Sequence, residues 1–488
     1  MKKLLIFLSA ASIMFSNSVI ANAKIIHNTT NIKPISNEQT SESSDILREP
    51  SKALWPEDAP KIASKAAIVM EASTGAILYA KNIHETYYPA SITKILTTLL
   101  AAENSSLGET VTFSHDSVYD VEADSSRLWI DENEELTMEQ CLYGIMLESA
   151  NDVAYAVAEH ISGDVDSFSE LMNQRAAELG CVDSNFVNPH GLPDPDHVTS
   201  AYDMALISRA AINNQTFREV TGTRTFTIPP TNLQKETRYL NNHHRFIKKT
   251  IPYEGAIGGK TGYTSKAKYT LVTFAERNGV TLISVILYCD SIQNEYSDTS
   301  SILDYAFNNY TLYSIADMEE PSTIDTAVLF TKYSSLFNDT NSRLQISPNG
   351  NIILPNSADY TDAKKEIQLS PVSSIVEGDN IIGKISYSYD GLYVGSADII
   401  YNNLATFSPL EDSFIPSPTP VTQAQLNNST EDEHSYNWKP IIISVMVGIL
   451  ILAIVIYIII IELPYRRKKN AYHQKKLRKK KSSDFIDL

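Results

Sequence analysis

The sequence predicts an α/β (α+β) protein: a large domain with an antiparallel sheet and a helical subdomain, then a small all-β domain and a C-terminal transmembrane helix. Strand-like runs at both ends of residues 61–312 enclose a series of helical patterns. Beyond them short strands replace the helical patterns, and Ile441–Ile461 forms an apolar run of 21 residues. A chain of 488 residues exceeds what one hydrophobic core organises, which agrees with two domains plus appendages.

The N-terminus has the composition of a secretory signal peptide over residues 1–23. Lys2 and Lys3 precede an apolar stretch, and Ala21-Asn22-Ala23 matches a signal cleavage site. The apolar stretch is short for a membrane span, so an uncleaved anchor is the weaker alternative. Residues 24–60 are rich in Asn, Ser, Thr, Glu and Pro, and this composition predicts a flexible spacer.

The domain predicted over residues 61–312 begins with a β-hairpin, because two apolar strands flank the turn Ser73-Thr74-Gly75. A helix then opens at Pro89, a residue type that suits a helix start. The further predicted elements are a helical pattern over Leu136–His160 with a polar corner at Leu147–Asp152, a helix over Phe168–Leu179 capped by Gly180, a helix from Thr199, mixed strand and turn over Phe217–Thr227, strands over Tyr269–Ala275 and Val280–Tyr288, and a helix over Ser300–Asn309. The strands would form a mostly antiparallel sheet, and the last helix would pack on it.

Residues 313–410 predict the small all-β domain. Its clearest element is a hairpin in which the strands Ile381–Ser388 and Leu392–Tyr401 flank the turn Asp390-Gly391. Four shorter strands are predicted before it, over Thr326–Phe330, Arg343–Ile346, Ile352–Leu354 and Glu366–Leu369. Residues 411–439 are rich in Pro, Ser, Thr, Gln and Asn and predict a semi-extended linker.

The C-terminal apolar run lies in a predicted membrane span over residues 440–463, which is long enough to cross a bilayer. Trp438 and Tyr465 bracket the span, and the tail over residues 464–488 is strongly basic. Basic residues mark the cytoplasmic side, so the two domains are predicted to be extracellular on a single-pass membrane protein. A buried core helix is the weaker alternative because of this basic flank.

The charge of the chain argues against nucleic acid as a partner. The net charge is −18, and the basic tail hides a still more acidic remainder that has no electrostatic basis for binding nucleic acid. The three cysteines, Cys141, Cys181 and Cys289, show neither metal-ligand nor redox-motif spacing. We therefore expect them to be small buried apolar side chains.

Three short polar motifs point to nucleophilic catalysis. Ser91 and Lys94 are three residues apart at a helix start, so their side chains share a face. A Lys amine with a depressed pKa can take the proton of a Ser hydroxyl and so activate it as a nucleophile. The second motif, Ser149-Ala150-Asn151, supplies another hydroxyl and an amide that can relay a proton and hold a substrate carbonyl.

The third motif, Lys260-Thr261-Gly262, precedes a predicted strand. It offers a cation and a hydroxyl to an anionic substrate end, and Gly262 leaves space for another backbone to approach. Each motif alone is as consistent with a loop or a helix cap. All three in this order form the set that is typical of serine β-lactamases and penicillin-binding proteins.

The chain resembles the low-molecular-weight penicillin-binding proteins that act as serine-type D-alanyl-D-alanine carboxypeptidases, with a serine β-lactamase/transpeptidase-like catalytic domain. The resemblance covers roughly Lys61–Asn309 and rests on Pro89–Lys94, Gly259–Thr264 and the loop Asn188–Leu192, with His197 and the start of the next helix. Plain β-lactamases lack that loop. A β-rich domain and a C-terminal membrane attachment are also similar to the plan of this family.

The resemblance implies that the protein removes the terminal D-alanine from peptidoglycan stem peptides ending in D-Ala-D-Ala, without a metal or another cofactor. Ser91 would be the nucleophile, Lys94 the general base, and Ser149 the relay that protonates the leaving D-alanine. The implied substrate-binding residues are Asn151, Lys260, Thr261, Gly262 and Tyr263. The backbone amides of Ser91 and Tyr263 would form the oxyanion hole. β-Lactam antibiotics would acylate Ser91 as dead-end substrates.

Three positions depart from the pattern of the family. Lys268 stands where a Gly is common, Asn242-His243-His244-Arg245 replaces two Asn around a Thr, and Asp290–Asp298 lacks an Arg that some members carry.

Several alternatives stay open on the sequence alone. The same scaffold would suit a D,D-endopeptidase or a weak serine β-lactamase, and a non-catalytic wall-binding protein would keep the fold without the reaction. A metal site at His190, His243 and His244 is a weak alternative, because the acids nearest His190 lie in a Pro-broken loop without ligand spacing.

Overall fold

The structure, a computed structural model, describes residues 59–122, 124–320, 344–369, 376 and 378–403. The segments that lie outside these residues are the predicted signal peptide (1–23), nearly all of the predicted spacer (24–60), the linker (411–439), the membrane span (440–463), the basic tail (464–488) and the strand predicted over Thr326–Phe330. Among the residues that are described, no helix combines the length and the apolar character that a membrane crossing needs.

The secondary-structure elements fall into three consecutive parts of the chain. The first part contains β1 (Ala66–Glu71), β2 (Ile77–Lys81), a 3₁₀ turn (Ala90–Thr93), α1 (Lys94–Asn104), β3 (Thr110–Thr112), α2 (His115–Tyr119), β4 (Glu135–Thr137), α3 (Met138–Leu147), α4 (Asn151–Ser162) and α5 (Val165–Glu178). The second part contains α6 (Ala201–Asn213), α7 (Gln215–Gly222), β5 (Thr225–Ile228), β6 (Arg238–Asn241), α8 (Arg245–Lys248), β7 (Ala256–Thr264), β8 (Lys268–Arg277), β9 (Val280–Cys289) and α9 (Ile292–Asn309). The third part contains β10 (Tyr310–Ser314), α10 (Ile315–Met318), β11 (Leu344–Ile346), β12 (Asn351–Pro355), β13 (Lys364–Leu369), β14 (Gly378–Tyr389) and β15 (Leu392–Asn403).

A five-stranded antiparallel sheet in the order β2-β1-β9-β8-β7 is buried on both faces. Successive side chains of a strand point to opposite faces. On β1, Ile68 and Met70 accordingly pack in one core with helices α1 and α3–α7, whereas Ala67 and Val69 pack in a second core with α9. The sheet therefore lies between a helical layer and α9, which confirms the predicted mixed α/β architecture with an antiparallel sheet.

The polar corner predicted at Leu147–Asp152 is present. Helix α3 ends at Leu147, α4 begins at Asn151, and Ser149 between them has a φ of 60°. A positive φ is uncommon for a residue other than Gly, and here it turns the chain between two buried helices. The corner thus places the Ser149 and Asn151 side chains at the end of the helical layer, next to the sheet.

Three sequence predictions differ from the structure. The motif Lys260-Thr261-Gly262 is predicted to precede a strand, but it lies within β7. The sequence predicts mixed strand and turn over Phe217–Thr227, but α7 occupies Gln215–Gly222 and only β5 is a strand. The Asn214 side chain caps this helix by accepting a hydrogen bond from the Phe217 amide at 3.1 Å, which outweighs the β-branched composition. The helix predicted from Ser300 begins earlier, at Ile292, because the Ser291 side chain caps it.

The predicted β-rich region forms a second antiparallel sheet in the order β10-β12-β15-β14-β13, with β11 paired to β15. The hairpin β14–β15 is the one predicted around Asp390-Gly391. The second sheet follows α9 directly and contacts the first part: the Tyr310 hydroxyl donates to the Leu78 carbonyl, and Ile353 packs in the core beneath α9. The division of the chain at residue 312 stays a prediction.

The cysteines are free thiols. Cys141 and Cys289 are buried as expected, whereas Cys181 is half-buried.

Lys268 is one of the positions that depart from the family pattern, and it allows a test of backbone strain. Its φ is 58°, in the left-handed region, and it begins β8 opposite Thr264. A residue with a Cβ costs about 1–2 kcal/mol in this region, and Gly regains part of that. We expect Lys268→Gly to raise the free energy of unfolding by up to about 1 kcal/mol in urea denaturation.

The matched control is Ser265→Gly in the same turn, where φ is not positive, and it should lower stability because Gly only loosens the unfolded chain there. Equal effects of the two substitutions would contradict the strain at Lys268.

Candidate active site

Ser91 and Lys94 lie on successive turns of one continuous segment. The 3₁₀ turn Ala90–Thr93 contains Ser91 and continues into α1, whose first residue is Lys94. The Lys94 Nζ lies 3.2 Å from the Ser91 Oγ, within hydrogen-bond distance. Ser91 remains partly exposed and faces a cleft, whereas Lys94 is fully buried. The predicted pair is therefore in contact and open to a substrate on the serine side.

The environment of the Lys94 amine decides where its lone pair points. The Nζ donates to the Asn151 Oδ1 and to the His190 carbonyl, both at 2.6 Å. Both partner oxygens can only accept, so the two hydrogens of a neutral amine are committed to them. The remaining neighbour is the Ser91 hydroxyl, and a neutral Lys94 therefore aims its lone pair at that proton.

Burial lowers the pKa of Lys94 well below its usual value, and the nearby Lys260 lowers it further, whereas Asp152 acts in the opposite direction. Removing an ammonium from water disfavours the charged form, and a second cation adds repulsion. The neutral amine that a general base requires is thus favoured by the position of the side chain itself.

Lys260 and Ser149 form a second amine–hydroxyl pair. The Lys260 Nζ donates to the Ser149 Oγ at 3.0 Å and to the Thr261 carbonyl at 2.9 Å. Lys260 is 1% exposed, and burial lowers its pKa to about 7. At neutral pH the group is therefore poised between its charged and neutral forms.

Gly262 allows strand β7 to approach the Ser91 turn. A Cβ built on Gly262 would lie 2.9 Å from the Ser91 amide nitrogen and would also clash with the Thr270 hydroxyl. The Thr270 hydroxyl in turn donates to the Pro89 carbonyl at 2.8 Å. The sheet edge and the Ser91 turn are thus held together through small groups, and a larger residue at Gly262 would separate them.

The cleft above these groups encloses about 590 Å³. Thr261 and Tyr263 line it from β7; Tyr263 is 56% exposed, and its ring packs on Tyr269. The sequence-predicted site residues that line the cleft are Ser91, Ser149, Asn151, Thr261, Gly262 and Tyr263, and Lys94 and Lys260 contact them from beneath. The structure therefore brings together all eight residues that the sequence singles out.

The loop Asn188–Leu192 closes one side of the site. The Asn188 Oδ1 accepts from the Gly191 amide at 2.7 Å, and Gly191 has a φ of 86° with its Cα pressed against the Ala90 carbonyl. Any Cβ at Gly191 would meet that oxygen, so Gly is required at this position. This geometry directs the His190 carbonyl to Lys94.

The side chains of His190 and His197 are structural parts of this wall. Burial lowers the pKa of both imidazoles; Asp194 partly opposes this for His197, and the neighbouring Lys94 amine acts in the same direction as burial on both rings. The neutral His197 Nε2 lies 2.9 Å from the Thr93 hydroxyl, and its Nδ1 accepts from the Val187 amide. Both rings thus add packing and hydrogen bonds beside Lys94 without adding a charge.

Sequence reasoning misses two carboxyl groups near the site. Asp152 is fully buried and accepts hydrogen bonds from the amides of Leu128 and Val153, which fixes the start of α4. Glu295 lines the cleft from the first turn of α9. Asp152 follows Asn151 directly and could be found as a helix-start acid, but Glu295 lies ahead of the point where the helical pattern of α9 becomes visible.

The histidines of the weak metal alternative do not converge. His190 accepts from the Leu192 amide through Nδ1, the buried His244 contacts the Thr273 hydroxyl, and His243 pairs with Glu148. In the part of the chain that the structure describes, no group of three or more His, Cys, Asp or Glu side chains is arranged to hold a metal ion.

The depressed pKa of Lys260 predicts a measurable cost to stability. Its folded pKa of about 7 lies below the unfolded value of 10.5, so the unfolded chain binds the extra proton. The penalty is complete below pH 7 and disappears as the pH rises towards 10.5. We expect Lys260→Met to raise the free energy of unfolding at pH 7 by about 1–4 kcal/mol, and the gain should shrink by pH 10.

The control is Lys266→Met in the exposed turn, which should change stability little at any pH. A pH-independent effect of Lys260→Met would contradict the shifted pKa.

Comparisons with known proteins agree with this site. A sequence model of the D-alanyl-D-alanine carboxypeptidase family matches residues 54–291. The D-alanyl-D-alanine carboxypeptidase DacF of Bacillus subtilis is 31% identical over 67% of this chain and 82% of its own length. The corresponding DacA of Haemophilus influenzae is 29% identical over 70% of this chain and 84% of its own.

Solved structures show the same similarity. Penicillin binding protein 5 from Haemophilus influenzae superposes with a TM-score of 0.56 at 25% identity, over 71% of this chain and 99% of its own. Since the Ser91–Lys94 pair, the Ser149 corner and the Lys260 strand edge meet in the region that the family match covers, the chain belongs to the serine-type D-alanyl-D-alanine carboxypeptidase family of penicillin-binding proteins.

Proposed function

We propose that this protein hydrolyses the terminal D-alanine from peptidoglycan stem pentapeptides through an acyl-enzyme on Ser91, and that penicillins acylate the same hydroxyl. The observation that supports this most directly is the Lys94 amine, which is fully buried, has two acceptor-only partners and lies 3.2 Å from the Ser91 Oγ. A non-catalytic wall-binding protein would have no need for a buried amine in this arrangement.

Acylation begins when the neutral Lys94 takes the Ser91 proton and the Oγ attacks the carbonyl between the two D-alanines. Negative charge then develops on that carbonyl oxygen. The backbone amides of Ser91 and Tyr263 are the proposed donors to it, a contribution of a few kcal/mol, about 3, in comparable sites. The close approach of Gly262 to the Ser91 amide supports this assignment, because it keeps β7 next to the nucleophile.

The leaving D-alanine needs a proton on its amine. Ser149 is the proposed relay, since its Oγ accepts from the Lys260 Nζ at 3.0 Å and lines the cleft. Lys260 and Thr261 are proposed to bind the terminal carboxylate, and Asn151 to orient the substrate while it holds Lys94. Water then hydrolyses the ester on Ser91 and frees the trimmed stem peptide.

The proposed location is the outer face of a cell membrane. The apolar run Ile441–Ile461 followed by a basic tail supports a single C-terminal span with a cytoplasmic end, and residues 1–23 support export. The catalytic domain would then face the peptidoglycan, which is the substrate that the proposed reaction requires.

Labelling with a fluorescent penicillin tests the nucleophile. We expect the full chain to be labelled, and Ser91→Ala to lose the label together with at least about 1,000-fold of the rate of D-alanine release from a D-Ala-D-Ala tripeptide. Ser265→Ala is the matched control, because the Ser265 hydroxyl lines the cleft but is not among the hydrogen-bond partners of Lys94 and Lys260 described above. This variant should keep both the label and the rate of D-alanine release. Equal labelling of Ser91→Ala and the unaltered protein would refute the assignment.

Deleting residues 440–488 tests the anchor. We expect the shortened protein to move from the membrane fraction to the soluble fraction while it still releases D-alanine from a soluble tripeptide, since no site residue is removed. Retention in the membrane fraction would favour an uncleaved N-terminal anchor instead.

A further inference from the structure

Glu295 is a buried carboxyl group at the cleft for which the proposed acylation steps have no use. It stands in the first turn of α9, is 2% exposed and lines the cleft together with Ile292 and Tyr296. Its Oε2 has no hydrogen-bond partner among the described residues. A buried polar oxygen without a partner is costly, and a polar group on a bound ligand would satisfy it.

Arg245 is the cation whose charge acts on Glu295, and the two side chains form no ion pair in the described part of the chain. Arg245 on α8 is near enough to favour the ionised carboxylate, yet its guanidinium lies 5.9 Å from the centre of the Tyr296 ring. The titratable and charged groups on the elements around Glu295 are Tyr296 and Asp298 on α9, Cys289 at the end of β9, Arg245 on α8, His243 and His244 before α8, Tyr269 on β8 and Lys260 on β7.

Burial dominates over Arg245 and raises the pKa of Glu295 to about 8. At neutral pH the carboxyl therefore carries its proton, and a protonated carboxyl is a hydrogen-bond donor. Asp298, the nearest carboxylate along α9, is already occupied by the amide and hydroxyl of Ser64. Glu295 is thus the neutral acid that lines this end of the cleft.

We propose that Glu295 is a specificity-determining residue that donates a hydrogen bond from its protonated carboxyl to the terminal carboxylate of the substrate. The assignment rests on the proposed carboxypeptidase function and extends it. A hydrogen bond from a neutral acid to a carboxylate is charge-assisted and strong, and a carboxylate ligand would supply the acceptor for the Glu295 proton. Ionised Glu295 would instead repel that carboxylate, so binding weakens when the proton is lost.

The test compares the KM of the full chain in detergent with that of Glu295→Gln, using a doubly N-acetylated L-Lys-D-Ala-D-Ala tripeptide and released D-alanine as the readout. Gln donates at every pH, whereas Glu295 with a pKa of about 8 is only about one-tenth protonated at pH 9. The ratio of the unaltered KM to the Glu295→Gln KM should be constant below pH 7 and rise about tenfold by pH 9. Titration of Lys260 affects both proteins and cancels in this ratio.

Two controls isolate the interaction. Glu122→Gln changes an exposed carboxylate that also lines the cleft, and it should keep the pH dependence of the unaltered protein. A tripeptide whose terminal carboxylate is an amide should show no rise in the KM ratio, because it carries no charge for Glu295 to repel. If Glu295→Gln does not fold, as judged by thermal unfolding, Glu295→Ser replaces it and removes the same titration.

A KM ratio that is independent of pH overturns the proposal. A second result that overturns it uses a tripeptide whose lysine side-chain amine is not acetylated. If Glu295→Gln loses affinity for this peptide alone, Glu295 binds a cation and not the terminal carboxylate. If the unaltered protein releases no D-alanine at pH 6.5, where Glu295 is protonated, the proposed function itself is wrong. This outcome differs from a failure of the Glu295 proposal alone, in which D-alanine is still released.

Discussion

The amine of Lys94 joins three segments that are far apart in the chain. It contacts Ser91 on its own turn, Asn151 at the start of α4 and the His190 carbonyl in the loop before α6. Since Asn151 and His190 satisfy its hydrogens, the position of the amine relative to Ser91 depends on the packing of α1, α4 and that loop around a single nitrogen. The alignment of the site is therefore a consequence of how the helical layer closes, as well as of the local spacing of two residues.

The two buried lysines are electrostatically unfavourable for the folded protein. Lys94 and Lys260 are both removed from solvent, and the pKa of each is lowered by burial. Neither amine is paired with a carboxylate within the described residues. Lys94 contacts neutral oxygens of Ser91, Asn151 and His190, and Lys260 contacts those of Ser149 and Thr261. A carboxylate partner would hold a lysine protonated and useless as a base, so the neutral partners are what the chemistry needs. Such a site is expected to be maintained at the expense of stability.

The sequence is informative where chemistry depends on spacing along the chain. Ser91 and Lys94 share a face because three residues separate them, and the corner at Ser149 is visible from small polar residues between two apolar helical patterns. Antiparallel pairing in the sheet can also be predicted, since the turn Ser73-Thr74-Gly75 joins two short apolar runs as a hairpin. In each case the signal is local, and the contact follows from backbone geometry.

The remainder of the site depends on tertiary packing that leaves no such signal. The His190 carbonyl is a backbone group, so the residue type at this position does not indicate that its oxygen accepts a hydrogen bond from Lys94. Glu295 escapes sequence reasoning because Ser291 starts α9 two turns before the apolar pattern becomes helical, and its burial depends on the neighbouring Tyr296 and α8. Helix α7 escapes it because the capping effect of Asn214 outweighs a β-branched composition.

The junction between the two sheets has a consequence for any shortened form of the protein. Strand β10 leaves α9 without a linker, and Ile353 completes the same apolar cluster as Leu78 and Tyr79 on β2. A fragment that stops after α9 would present those side chains to water at the free edge of its main sheet. Exposed apolar edge strands pair with copies of themselves, so such a fragment should self-associate even though every group of its catalytic cleft is intact.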